Sequence, residues 1–407
     1  MSADVMPHAL VGQERGAFSV RDYRVVFGPG AVAETARELE RLGASRPVIV
    51  TGTTLGTSDV LDDVLHVLGD LETAVFAGAG AHGLVSAVNA LADLMKVHRA
   101  DALVSLGGGS AVDVAKGATM VSTGRPLETF RRRSATGSGE RPMDAYYTAE
   151  ALPCAPIVAV TTTLSGAEFT GQAGLTLEGS DGETRKDQYY HRGSAPTMIV
   201  LDPRVTRRTP LNLWRKSGIK CLDHDVERIY SLHGHPFTES LSIGSARILL
   251  ERLGTEADQP DSPVRTALLI ASWMAQFSTG NVNVGLSHAL GHQVGALAEI
   301  GHGDTSAILL PHVMRFNAVE AEGPLTRLAQ QVGCVTAEGY GDVEGLIQRI
   351  EALIARLELP TRLRDTRLTR DLLPVIAERT LTDTGITGNP RRVTASGEVL
   401  ELLERAW

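Results

Sequence analysis

The sequence predicts an α/β N-terminal domain built on a mostly parallel sheet, followed by an all-α C-terminal domain. Two observations carry that reading. Up to about residue 201, apolar runs of four or five residues alternate with segments of helical periodicity, the pattern of a parallel sheet covered on both faces. Beyond Pro210, apolar residues recur at spacings of three and four, and β-branched runs with turn signals become rare. A third observation locates a site: Gly107-Gly108-Gly109-Ser110 stands between a buried strand pattern and a helical one.

Taken in order, residues 24–27 read as a strand closed by Gly28-Pro29-Gly30. Helical periodicity covers 31–42, 60–68 and 84–98, and strands are expected at 47–50, 73–76 and 102–106. A helix over 111–120 follows the glycines, with further strands at 157–160 and 198–201. In the second half the helical stretches are 240–253, 264–279, 284–298, 305–318, 343–357 and 396–406. The division is a short leader over 1–18, an α/β domain over 19–205 and a helical domain over 206–407, with the change of texture between Asp202-Pro203 and Pro210. The Gly/Ser-rich stretch 134–142 reads as an inserted, mobile loop.

The chain has 407 residues, 43% hydrophobic and 21% charged, enough to bury cores without disulfides. A formal charge of −9 and a pI near 5.8 argue against a nucleic-acid partner. Cys154, Cys221 and Cys334 are few and far apart, as expected of free thiols in a reducing cytoplasm. No apolar run approaches the length of a membrane span, so no membrane partner is expected.

Strand, glycine turn and helix are what a pyrophosphate needs. Glycines admit close backbone approach, and the helix start offers free N–H groups and partial positive charge. Gly107, Gly108, Gly109 and Ser110 are therefore candidate cofactor contacts. Asp113 and Lys116 share a face of the same helix, and Lys116 could meet a phosphate or ribose hydroxyl. A tight structural turn is the plainer alternative, and the spacing is not the G-x-G-x-x-G fingerprint. Thr162, Thr163 and Ser165 follow another strand and could line the same ligand, although β-propensity alone also explains a threonine run.

Histidines cluster as well. His288 and His292 are four apart on one helix face, His302 follows between two glycines, and Lys220 and His224 form a second pair four apart. Such groups suit a metal site or a proton relay, or else are ordinary core and surface histidines.

Together, GGGSAVDVAK over 107–116, TTLSGAE over 162–168, the segments 217–230 and 288–317, and Asn389-Pro390-Arg391 resemble the iron-containing, or group III, alcohol dehydrogenase family. The resemblance implies a dehydroquinate synthase-like dinucleotide-binding domain and a helical domain carrying the metal and substrate groups. It implies a divalent metal, Fe2+ or Zn2+, on one Asp and three His, the histidines matching His224, His288 and His302. It places His292 beside the nicotinamide. The Asp position, four residues before the first His, is Lys220 here.

An ammonium cannot ligate a metal and repels one. Three readings follow, the first preferred on ligand chemistry. The protein works without metal, and Lys220 polarises the substrate oxygen and donates a proton as hydride arrives. A metal stays on His224, His288 and His302 with an open position. Or Cys221, Asp223 or Asp225 replaces the carboxylate, which the 100° rotation per helical residue disfavours. Maleylacetate reductases are similar in architecture and also lack the Asp.

The expected cofactor is NADPH or NADH. NADPH is favoured because Gly52 and Thr53, which end the strand over 47–50, bring hydroxyls and no carboxylate to the place that would face a 2′-phosphate. The expected activity is hydride transfer between a small aldehyde, ketone or oxo acid and its alcohol, with Lys220, His288 and His292 as catalytic groups and a cytoplasmic homodimer as the working form. Lys186 and Arg192 could hold an anionic substrate or be solvated loop charges. Alternatives are maleylacetate reductase-like reduction of an unsaturated oxo acid, a dehydroquinate synthase-like enzyme without net redox turnover, or a catalytically degenerate cofactor-binding protein.

Overall fold

The computed structural model describes residues 18, 20–80, 83–132, 152–178, 184–255 and 261–407. The leader through Ala17 and the loop expected over 134–142 lie outside the described residues. Two compact units result, Arg21–Pro210 with Glu256–Ile270, and Leu211–Thr255 with Ala271–Trp407 and the residues up to Val20.

In the first unit, β1 (Arg24–Phe27), β2 (Pro47–Val50), β3 (Ala74–Phe76), β4 (Ala102–Gly107), β5 (Ile157–Thr161) and β8 (Met198–Leu201) form one sheet in the order β1-β8-β5-β4-β2-β3. Every pairing in it is parallel. The helices are α1 (Glu34–Arg41), α2 (Asp59–Leu68), α3 (Val85–His98) and α4 (Gly109–Ser122). Alternate strand residues enter opposite cores. Val48, Val50 and Leu103 pack with Val88, Leu91 and Val114 of α3 and α4. Ile49, Val104 and Leu106 pack with Leu39, Val60 and Val64 of α1 and α2. Burial on both faces explains why these strands read as unbroken apolar runs.

The strand order reverses between β2 and β4. The chain leaves β2 through α2 toward β3, and leaves β4 through α4 toward β5 on the other side. Adjacent parallel strands whose crossovers diverge open a crevice at their carboxyl ends, where α/β folds bind ligands. The segments after Val50 and after Leu106 end there.

An antiparallel hairpin, β6 (Gln172–Glu178) with β7 (Thr184–Tyr190), was not expected from sequence. Its buried side is carried by Ala173, Leu175 and Tyr189, while the rest of β7 is polar and reads as loop.

The second unit is helical as expected. In chain order the helices are α5 (Leu211–Tyr230), α6 (Pro236–Arg252), α7 (Pro263–Gln276), α8 (Leu286–Ala298), α9 (His302–Asn317), α10 (Glu322–Gln331), α11 (Val343–Arg356), α12 (Leu373–Thr380) and α13 (Ser396–Ala406), of which α7 is counted in the first unit up to Ile270. A core of Leu286, Leu290, Ile308, Val313, Leu373, Ile376, Val399 and Leu403 joins α8, α9, α12 and α13. Phe18, expected at the end of a mobile leader, instead stacks on Phe277 with ring centroids 6.4 Å apart and meets Phe237 edge-on. No helix among the described residues is long and apolar enough to cross a membrane.

Candidate active site

The glycine turn is a backbone cradle. A Cβ at Gly107 would come within 2.9 Å of the Ala111 Cβ, and one at Gly108 within 2.8 Å of Thr163 Cγ2. Gly107 sits at φ +154. The Thr162 N–H donates to the Gly107 carbonyl at 3.0 Å, so the turn and the threonine run expected to share its ligand are adjacent. Helix α4 starts at Gly109 with no side chain capping it, and residues 107–110 remain partly exposed. Half-exposed, uncapped N–H groups at a helix start suit a phosphate.

Three neighbouring expectations need correction. Lys116 is fully buried, and its ammonium is spent on Asp113 Oδ1 at 3.2 Å and on the Ala167 and Gln172 carbonyls at 2.7 Å each. Three donors meet three acceptors, which leaves none for a phosphate or ribose. Asp113 is occupied too, accepting from the Gly174 N–H at 3.0 Å. This pair fastens α4 to β6. Thr162 and Thr163 are buried, and Ser165 is the partly exposed hydroxyl of its run. Thr163 Oγ1 donates to Ser165 Oγ at 3.1 Å and supports the cradle from behind. Gly52 lies just beyond β2, partly exposed, with Thr53 exposed beside it. Arg192 is exposed in the turn after β7, and Lys186 lies on β7.

In the second unit, α5 turns a polar stripe inward. Lys220, Asp223, His224, Glu227 and Arg228 recur at spacings of three and four, so they share one face. Helix α8 brings His288 and His292 to it, and the start of α9 brings His302. The ring centroids of His224 and His288 lie 4.5 Å apart, those of His288 and His292 6.5 Å, and those of His292 and His302 5.8 Å. Close approach of α9 depends on Gly303, where a Cβ would fall 2.6 Å from the Lys216 carbonyl oxygen.

Glu227 organises the start of α8. Its carboxylate accepts the N–H groups of Gly285 at 3.0 Å and Ser287 at 2.7 Å, and lies 2.6 Å from His288 Nδ1. A carboxylate at a helix N-terminus is electrostatically favoured. Asn389 buttresses the same turn, accepting from the Leu286 N–H and exchanging amide hydrogen bonds with Asn317.

Lys220 Nζ lies 2.6 Å from His288 Nε2 and 3.7 Å from Asp223 Oδ2. An ammonium only donates, so His288 Nε2 is the acceptor and Nδ1 carries the proton toward Glu227. Burial holds His288 and His224 well below the usual histidine range, which keeps them neutral. Burial also lowers Lys220, opposed by the Asp223 and Glu227 carboxylates. His292 is 36% exposed and its Nδ1 lies 3.1 Å from Asp383 Oδ2. Burial alone would raise Asp383, but hydrogen bonds from His292, Gly385 and Gln293 outweigh it and hold the carboxyl below its ordinary value.

Residues 23–203 match the family model for iron-containing alcohol dehydrogenase, and residues 215–407 match the C-terminal model of the Fe-containing alcohol dehydrogenase family. Maleylacetate reductase 2 of Cupriavidus pinatubonensis is 31% identical over 319 residues, 78% of each chain. The chain belongs to the iron-containing alcohol dehydrogenase family. The NAD-dependent methanol dehydrogenase of Bacillus methanolicus is 26% identical over 389 residues, 94% of this chain and 97% of that one. The alcohol dehydrogenase structure from Oenococcus oeni shares the fold, with a TM-score of 0.85 at 24% identity over 96% of this chain and all of that one. The relatives support a general oxidoreductase role.

The metal in the family's name is not matched by the donors present. A metal on His288 would sit on the Nε2 lone pair at about 2.0–2.1 Å, and that lone pair already faces the Lys220 ammonium at 2.6 Å. Asp223, Glu227 and His288 do bring three ligand-type atoms within 4.8 Å of one another. There too a metal would have to displace the Nδ1 proton of His288 and the Ser306 hydroxyl, which lies 2.5 Å from Asp223 Oδ2. A dinucleotide phosphate does suit the turn, because Gly107 and Gly108 pack too closely on Ala111 and Thr163 for a Cβ and the turn ends in an uncapped helix start.

Glu227 was missed as a site residue in the sequence, and Asp223 was weighed only as a replacement metal ligand, although their spacing from Lys220 on one helix was visible. Asp383 and Gln276 reach the cluster from distant segments, and nothing local in the sequence marks them.

Proposed function

We propose that this enzyme is an NADPH-preferring carbonyl reductase that works without a metal, with Lys220 as the acid at the substrate oxygen. The observation that carries the reading is the Lys220 ammonium on His288 Nε2. A dinucleotide bound on Gly107, Gly108, Gly109 and Ser110 supplies the hydride in reduction and accepts it in the reverse direction. Lys220 shares the histidine cluster with Arg228, whose guanidinium is taken up by Ala275, Gln276 and Thr279; His288 uses one of the three Lys220 donors and Asp223 draws another, which leaves one for a carbonyl oxygen. As the oxygen gains negative charge, the fixed ammonium stabilises it and delivers a proton. His288, held by Glu227, keeps the ammonium oriented. His292 is partly exposed and held by Asp383. His224 and His302 complete the wall of the cluster rather than a metal shell.

Substrates are small aldehydes, ketones or oxo acids. Reduction of an unsaturated oxo acid is a second reading, favoured by the 31% identity to a maleylacetate reductase. The test is net NADPH oxidation with a panel of aldehydes and oxo acids, an unsaturated one included. Turnover with any of them supports reductase chemistry. Saturable NADPH binding without consumption across the panel would instead indicate internal redox use or loss of catalysis.

A further inference from the structure

Around His224 a chain of hydrogen bonds runs in one direction only. Arg228 is buried, and its guanidinium donates to the Ala275 carbonyl, to Gln276 Oε1 at 3.1 Å and to Thr279 Oγ1 at 2.7 Å. The Thr279 hydroxyl, having accepted from Arg228, donates to the same Gln276 Oε1 at 2.6 Å. A guanidinium has no acceptor, so the Gln276 atom facing it must be the oxygen. The amide nitrogen is therefore the atom 2.8 Å from His224 Nδ1. An amide nitrogen only donates, so Nδ1 holds the lone pair and the ring proton sits on Nε2.

We infer that Gln276, locked by Arg228 and Thr279, is a positioning residue that fixes His224 as an Nε2–H hydrogen-bond donor. This rests on the metal-free reading and adds to it. Metal-ligating histidines usually donate their second N–H to a carboxylate, carbonyl or water, which leaves the ligating nitrogen bare. Gln276 imposes the opposite polarity. With Nδ1 filled and Nε2 protonated, His224 has no lone pair for a metal, and it has an N–H for an oxygen acceptor. His224 and Lys220 then form a pair of donors for the substrate oxygen, one neutral and one charged. Lys220 and the amide of Gln276 act in the same direction, both favouring hydrogen-bond donors over a metal ion at this cluster.

The test has two arms on the full chain. In the first, protein carrying 15N-labelled histidine is examined by NMR, with His224 assigned by loss of its signals in His224→Gln. Expected is a pyrrole-type Nε2 and a pyridine-type Nδ1. The reverse pattern overturns the inference. In the second, zinc alone is titrated into Lys220→Asp and into Lys220→Asp/Gln276→Glu. A glutamate at 276 still meets Arg228, but it accepts from Nδ1–H and frees Nε2. Zinc should bind the double variant roughly tenfold or more tighter than the single one, the scale of outer-shell effects on metal affinity. Equal affinities overturn the inference while leaving the metal-free reading of the native enzyme intact. Native enzyme that holds stoichiometric metal overturns that reading instead. If the double variant does not fold, the NMR arm decides alone.

Discussion

Lys220 Nζ stands 2.6 Å from His288 Nε2, on the one lone pair that a neutral imidazole with a protonated Nδ1 has to offer. Replacing it should be costly: Lys220→Ala is expected to lower kcat for carbonyl reduction by about 10²–10³-fold, the usual effect of losing one oxyanion donor. NADPH affinity should change little. Steady-state kinetics with a fluorescence titration of the cofactor separates the two.

On the proposed mechanism, the same group sets the alkaline limb of the pH profile. Burial lowers Lys220 below the ordinary lysine value of 10.5, and the deprotonated amine cannot donate. Reduction should therefore fall as pH rises through that lowered value, at a lower pH than an exposed lysine would give. Lys220→Ala should remove this limb. A limb that persists unchanged in the variant would assign it to another group.

Lys116 on α4 and Gly108 just before it make a contrasting pair. Removing the buried ammonium in Lys116→Met strands two carbonyls and leaves Asp113 without its cation, at a cost of about 3–5 kcal/mol. That loss should register in urea unfolding more than in cofactor affinity. Gly108→Ala forces a Cβ against Thr163. It should weaken NADPH binding by roughly tenfold or more, which is about 1.4 kcal/mol, by spoiling the cradle itself.

On the proposed reading, Gly52 bears on the choice of dinucleotide. A carboxylate introduced by Gly52→Asp would repel a 2′-phosphate and could accept from ribose hydroxyls. The ratio of NADPH to NADH affinity is expected to fall at least roughly tenfold, the equivalent of about 1.4 kcal/mol. The new Cβ would lie 3.1 Å from the Ala79 carbonyl oxygen, a contact tight enough to lower stability modestly.

The parallel strands were legible because both of their faces are buried, so Pro47–Val50 and Met198–Leu201 carry no polar residue at all. The β6–β7 hairpin was not, because Thr184–Tyr190 packs mainly through Tyr189. Helix α5 escaped assignment as a whole because its inward stripe is polar: Asp223, Glu227 and Arg228 occupy positions where a periodicity search expects leucine. The glycine turn and the histidines could be named from local spacing alone. Lys116 shows the limit of that approach. Sequence placed it beside the glycines, but whether its ammonium faced a phosphate or two carbonyls depended on β6, which arrives more than fifty residues later.

Metal analysis of the purified native enzyme, paired with NADPH-dependent reductase activity before and after dialysis against a chelator, bears most directly on the role given to Lys220. Expected are iron and zinc far below one equivalent per chain and activity unchanged by chelation. One equivalent of tightly held metal, with activity lost on its removal and restored on its return, would contradict that role.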